Sequence, residues 1–138
     1  MSTTGGFVHR LRVRFGECDP QGVVFNANYL LYFDVAFTEL WRERLGGYAE
    51  MIDGGVDVML VQSNVGYKQP AKADDEIDIK LLVTKLGTTS MALGADVERD
   101  GELLAEAELH YVFVDSASLT KTAIPPEIRT ALSGLSGP

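Results

Sequence analysis

Between Asn28 and Leu45 the chain carries one long segment of helical period that is apolar on almost every face. Leu30, Phe33, Phe37, Leu40, Trp41 and Leu45 form one stripe, and Tyr29, Tyr32, Val35 and Ala36 add apolar surface elsewhere. Such a helix is predicted to be enclosed on most sides. Gly46-Gly47 supplies the residue type that ends a helix. The segment before this helix alternates with period two. Phe7, His9, Leu11, Val13 and Phe15 share one face of a strand, with Val8, Arg10, Arg12 and Arg14 on the other. Further strands are predicted at about Val56–Lys68, Ile77–Lys85, Ser90–Arg99 and Glu102–Val114, after a less regular stretch through Gly54-Gly55. Asp100-Gly101 is the strongest hairpin signal, and Pro125-Pro126 opens a short C-terminal helix. The order predicts an α+β fold in which a five-stranded antiparallel sheet curls around one long helix.

Composition narrows the function. A chain of 138 residues fits one domain with a substantial core. Charged residues interrupt every apolar run before it reaches membrane-spanning length, and Met1–Gly6 has no signal-peptide character, so a cytoplasmic protein is expected. A formal charge of −8 argues against nucleic acid and weighs against an acidic carrier protein as partner. The single Cys18 cannot form an internal disulfide, and His9 and His110 stand in no metal-ligand spacing. No metal and no separate cofactor are expected.

The chemistry concentrates in Gly16-Glu17-Cys18-Asp19-Pro20-Gln21-Gly22-Val23-Val24-Phe25-Asn26-Ala27-Asn28-Tyr29. Pro20 pushes Asp19 into an extended conformation, and Gly22 permits a sharp turn. Asn26 or Asn28 is positioned to cap the helix, which brings free backbone N–H groups near the Asp19 carboxylate. That carboxylate is either a turn residue steadied by the helix dipole or a base or nucleophile opposite an oxyanion-binding helix end. Cys18 and Asp19, adjacent in an extended segment, point to opposite sides, which assigns the thiol to packing.

This run resembles the signature of the 4-hydroxybenzoyl-CoA thioesterase family of hot-dog-fold proteins. A second matching block is Ser63-Asn64-Val65-Gly66-Tyr67-Lys68-Gln69-Pro70-Ala71-Lys72-Ala73-Asp74-Asp75-Glu76, and the likeness spans roughly residues 7 to 130. The resemblance implies an acyl-CoA thioesterase that releases a free acid and CoA. It implies Asp19 as nucleophile or general base and the Asn26 backbone N–H as oxyanion donor. Related thioesterases carry His or Tyr where Asn26 stands, so this position leaves the acyl group open. Gly22, Tyr29, Asn64 and Tyr67 are candidate substrate contacts, although Asn64 could equally be paired to strand backbone. The aromatic-substrate enzyme grips the nucleotide phosphates with two Arg residues. The matching stretch here has none, leaving Lys85, Thr88, Thr89 and Ser90 as candidates.

Glu39, mid-helix, is either solvated or a second carboxylate near the site. The Arg10, Arg12 and Arg14 stripe reads most simply as a solvated strand face. A dehydratase of the same fold would need a His in a matching motif, which His9 and His110 lack. A non-catalytic acyl-CoA-binding module is the other alternative, but it would have no use for a carboxylate in an apolar site. The resemblance also implies a homodimer, assembling further to a homotetramer, with each site built between subunits and Asp19 of one chain near Asn64 and Tyr67 of the other.

Overall fold

A computed structural model describes residues 6–136. Its elements are β1 (Phe7–Arg12), α1 (Asn28–Arg44), α2 (Tyr48–Asp53), β2 (Val56–Tyr67), β3 (Glu76–Leu86), β4 (Ser90–Arg99), β5 (Glu102–Asp115) and α3 (Pro126–Ser133). The five strands form one antiparallel sheet in the order β1-β3-β4-β5-β2. α1 shares a single buried core with one face of that sheet. This is the hot-dog arrangement that the resemblance implies.

Register explains how a helix fits into the sheet. Side chains pair across strands in rungs: Ile79, Val97 and Ala105; Leu81, Ala95 and Ala107; Val83, Leu93 and Leu109. The rungs narrow at Ala95, Ala105 and Ala107, between larger side chains such as Ile79, Leu81, Leu93 and Leu109, which leaves room on this face. The helix packs on the same face with Tyr29, Tyr32, Phe33, Ala36, Phe37, Leu40 and Trp41, all buried at the spacing of one helical face. Trp41 has no exposed surface, and its ring lies among Phe37, Tyr48 and Phe113. No group among the described residues accepts its Nε1–H.

The opposite face of the sheet is charged and cross-paired, with Arg10–Asp78 at 2.9 Å, Lys80–Glu98 at 3.0 Å and Lys68–Glu106 at 3.3 Å. Arg12 reaches Asp74 and Glu76, so the arginine stripe is an exposed, ion-paired strand face. Glu39 likewise pairs with Arg42 one turn along the helix. The β4–β5 hairpin turns at Asp100-Gly101 with φ of 51° and 81°, the twist that a two-residue hairpin loop needs.

Four sequence expectations are corrected. β1 ends at Arg12, and Phe15 lies in a 3₁₀ turn (Phe15–Glu17) with 86% of its surface exposed. Leu30 is 40% exposed rather than part of the buried stripe, because that stripe begins with Tyr29. α1 is therefore buried along one face only, with Leu31, Asp34 and Thr38 also outward. Finally, the stretch after Gly47 contains α2, a helix too short to show periodicity. By contrast, Gly46 and Gly47 do end α1, with φ of 82° and 100° and a bond from Gly47 N–H to Trp41 O.

Leu93 is fully buried in the central rung, whereas Leu103 near the hairpin is only partly buried. Leu93→Ala is expected to cost about 2–5 kcal/mol by urea unfolding and Leu103→Ala clearly less.

Candidate active site

Asp19 stands at the tip of a small hairpin built from its own motif. Cys18 bridges Val24, Asp19 N–H donates to Val23 O (2.9 Å), and Gly22 N–H donates to Asp19 O (2.9 Å). This is a three-residue loop closed by Gly22 at φ 80°, a conformation that L side chains resist. The Asp19 Oδ1 accepts the Gln21 N–H at 2.8 Å, while no described group donates to Oδ2. The turn role and an available carboxylate oxygen thus coexist in one residue. Cys18 faces elsewhere: its Sγ lies 3.9 Å from Arg14 O, and it does not line the cleft that Asp19 enters.

That cleft measures about 390 Å³ and brings together Asp19, Asn26, Tyr29 and Tyr67, so the Tyr67 expected beside Asp19 from another subunit is already there from the same chain. Its far wall is Lys68, Gln69 and Pro70, the second sequence block. The block is fastened to the first by Val24 N–H donating to Ala71 O (2.8 Å) and by the Val23–Lys72 bridge. Asp75 braces it by accepting Lys72 N–H (2.8 Å) and the Arg99 guanidinium (2.7 Å). Burial pushes the Asp75 carboxyl up, but these donors hold it below the usual range. Tyr29 and Tyr67 meet edge to face at 5.3 Å, Tyr29 Oη accepts Ala71 N–H, and Tyr67 O–H donates to Asn26 O at 3.2 Å.

The start of α1 differs from the expected cap. Ala27 is the N-cap residue and no side chain caps it; Asn28 Nδ2 instead donates to Glu17 O at 2.8 Å. Tyr29 and Leu30 N–H groups bond three residues back, and Asn26 N–H has no acceptor among the described residues. Asn26, just ahead of the positive end of the helix, also lines the cleft that holds Asp19.

The remaining candidates lie elsewhere in the chain. Asn64 lines a separate concavity of about 430 Å³ with Gly66, Asp96, Glu106, Ala107 and Glu108. Lys85, Thr88, Thr89 and Ser90 surround the β3–β4 turn, whereas the Asp19 hairpin meets the chain just before β3 begins. The two places are roughly 35 Å apart along β3, at about 3.3 Å per residue. Arg129 of α3 reaches the Gly87 carbonyl at that turn, a cation the sequence reading did not single out. Among the described residues no group of three His, Cys, Asp or Glu side chains is placed to hold a metal, and no helix is long and apolar enough to cross a membrane.

Sequence reasoning also missed Glu17, a charged side chain buried to 9% exposure. Its Oε1 accepts Arg14 N–H (2.8 Å) and Tyr32 O–H (2.9 Å), and its Oε2 accepts the Arg14 guanidinium (2.6 Å). Burial raises the Glu17 carboxyl, yet the Arg14 and Tyr32 donors together bring it below its ordinary 4.5. Tyr32 is pushed up, first by burial and then by its bond to Glu17. The one available sign was a Glu two residues before Asp19, in phase with the buried face of β1.

A family model described as the Thioesterase-like superfamily matches residues 13–132. The chain belongs to this superfamily. It is 29% identical over 119 residues to the acyl-CoA thioester hydrolase YbgC of Escherichia coli O6:H1, covering 86% of this chain and 89% of that one. It is 27% identical over 123 residues to the 1,4-dihydroxy-2-naphthoyl-CoA hydrolase of Nostoc punctiforme, covering 88% and 83% of the two chains. Among solved structures, a hypothetical protein from Aquifex aeolicus superposes with a TM-score of 0.86 at 30% identity, covering 91% of this chain and 98% of that one.

Acid should weaken the fold through Glu17. A carboxyl whose folded pKa is depressed contributes stability that is complete above its unfolded value and is lost as pH falls through the folded value. Glu17 and Asp75 both act in this sense, while Asp96, pushed up by burial beside Glu98 and Glu106, acts in the opposite one. Urea unfolding is expected to give a stability that declines below about pH 4.5. Glu17→Gln should be less stable at neutral pH and show a shallower acid decline.

Proposed function

We propose that the protein hydrolyses acyl-CoA thioesters to a free carboxylic acid and CoA, with Asp19 as the reacting carboxylate and Asn26 N–H as oxyanion donor. One observation carries the reading: within a thioesterase-superfamily chain, one cleft is lined by Asp19, with a carboxylate oxygen unengaged among the described residues, and by Asn26, whose backbone N–H has no acceptor among them. As general base, Asp19 takes a proton from water while the oxygen adds to the thioester carbonyl. The tetrahedral oxyanion is stabilised by Asn26 N–H and the start of α1, and its collapse expels CoA thiolate, which takes up the proton. As nucleophile, Asp19 instead displaces the thiolate to form a mixed anhydride that water then opens. Both routes need the same carboxylate and the same donor. The mixed lining of Tyr29, Tyr67, Val23, Val24 and Pro70 suits an acyl group, and the named activities of the YbgC and naphthoyl-CoA relatives support the substrate class.

The working unit is proposed to be a homodimer, paired further as a tetramer. β2 is a sheet edge, and Met59, Leu60 and Val61 stand exposed in succession at its bulge. Phe25, Leu30 and Leu31 at the start of α1 are exposed as well. Open edges and clustered apolar surface of this kind are normally covered. In this arrangement Asn64 and the Lys85–Ser90 turn serve the site of another subunit rather than their own.

Asp19→Asn keeps the shape and removes the basicity, so turnover of an acyl-CoA panel, followed by thiol release, should fall by about 10²–10⁴. Cys18→Ala should stay within a few-fold of the parent; wild-type turnover in Asp19→Asn would sink the mechanism. Light scattering at micromolar protein should give a multiple of the 15.0 kDa chain mass, and a fully active 15.0 kDa species would refute the shared site.

A further inference from the structure

Resting on the reading of Asp19 as the reacting carboxylate, we propose that Glu17 is a positioning residue that fixes the Asp19 hairpin against helix α1. Three features of the same residue support this. Its carboxylate is buried and bonded on both sides, to Arg14 before the hairpin and to Tyr32 one helical turn into α1. Its carbonyl accepts Phe25 N–H at 3.0 Å and Asn28 Nδ2 at 2.8 Å, at the end of the loop and the first turn of the helix. Residues 18–27, which include both Asp19 and Asn26, are therefore tied at each end to Glu17. None of these groups lines the cleft, so Glu17 acts through the loop and not on substrate.

Physical chemistry makes this an expensive arrangement for mere folding. A buried carboxylate costs several kcal/mol of desolvation unless every lone pair is engaged, and a well-packed apolar residue would serve stability as well. What a charged anchor bonded at both its carboxylate and its carbonyl adds is direction: charge-assisted bonds are short and geometrically strict. Two Glu17 oxygens and one carbonyl fix both the height of the hairpin above α1 and its rotation. A displacement of about 1 Å between a catalytic group and its oxyanion donor costs about 10²-fold in rate, which is the scale on which such an anchor matters.

The test uses Tyr32→Phe, which removes one bond from the carboxylate without changing the shape of the core, and Asn28→Ala, which removes one of the two bonds to the carbonyl. Glu17→Gln is the direct variant, and the two others decide the matter if it fails to fold. Each is made alone and in the Asp19→Asn background, with acetyl-CoA and benzoyl-CoA as probes. The expected result is a fall in kcat of about 10–100-fold with KM changed less than a few-fold, and no further fall in the Asp19→Asn background. Unchanged kcat in all the variants that fold, or the same fractional loss with and without Asp19, would overturn the proposal. Hydrogen exchange gives a readout independent of turnover: the Asp19 and Phe25 amides should lose protection in Tyr32→Phe while the Leu93 amide keeps its own. If Asp19→Asn proves fully active, the reading of Asp19 fails, and the exchange result alone decides whether Glu17 anchors the loop: lost protection supports it and unchanged protection refutes it.

Discussion

Burial of one face of α1 against the sheet is the constraint on which the rest of the molecule depends. The bulk of that contact comes from α1 itself, whose Phe37 and Trp41 meet Tyr111 and Phe113 of β5. Each aromatic on that face replaces water with close contacts, worth roughly 1.5–3 kcal/mol per large side chain. Once α1 is seated, its N-terminus can point in only one direction. The cleft follows, because the hairpin carrying Asp19 is pinned to that N-terminus on one side and to the Ala71–Lys72 segment on the other.

Most of this architecture was legible in the sequence, and the parts that were not share a physical cause. Alternation located β1 and β3, which each turn one apolar face inward; Ile77, Ile79, Leu81 and Val83 are all buried, as their period requires. Asp100-Gly101 was readable because its backbone conformation admits few residues. The reading failed where burial depends on a partner rather than on residue type. Leu30 looks like core and stands outside. Glu17 looks like surface and is buried, because Arg14 and Tyr32 neutralise the cost and neither is recognisable as a partner before the chain folds. Propensity offered Asn26 or Asn28 as the helix cap, and Asn28 instead donates to the Glu17 carbonyl.

The candidate site divides in the same way. Asp19, Asn26, Tyr29 and Tyr67 came together because the first three lie in one continuous motif and Tyr67 lies in the second, which is bonded to it. Asn64 and the Lys85–Ser90 turn did not, since strand β3 alone separates that turn from the hairpin. A chain carrying −8 charge also has to present cations locally to an anionic ligand. Several of its basic residues, Arg10, Arg12, Lys80 and Arg99 among them, are occupied in ion pairs on the sheet and its edges. Lys68 in the cleft is itself shared with Glu106.

Trp41 has a practical significance beyond packing. It is the only tryptophan in the chain, wholly buried where α1, α2 and β5 meet, while the cleft is furnished with tyrosines. Intrinsic emission excited at the red edge therefore reports one thing, the integrity of the helix–sheet core, and is blind to events around Asp19. The protein thus carries a built-in optical reporter that separates loss of fold from loss of chemistry in any variant of its active-site loop.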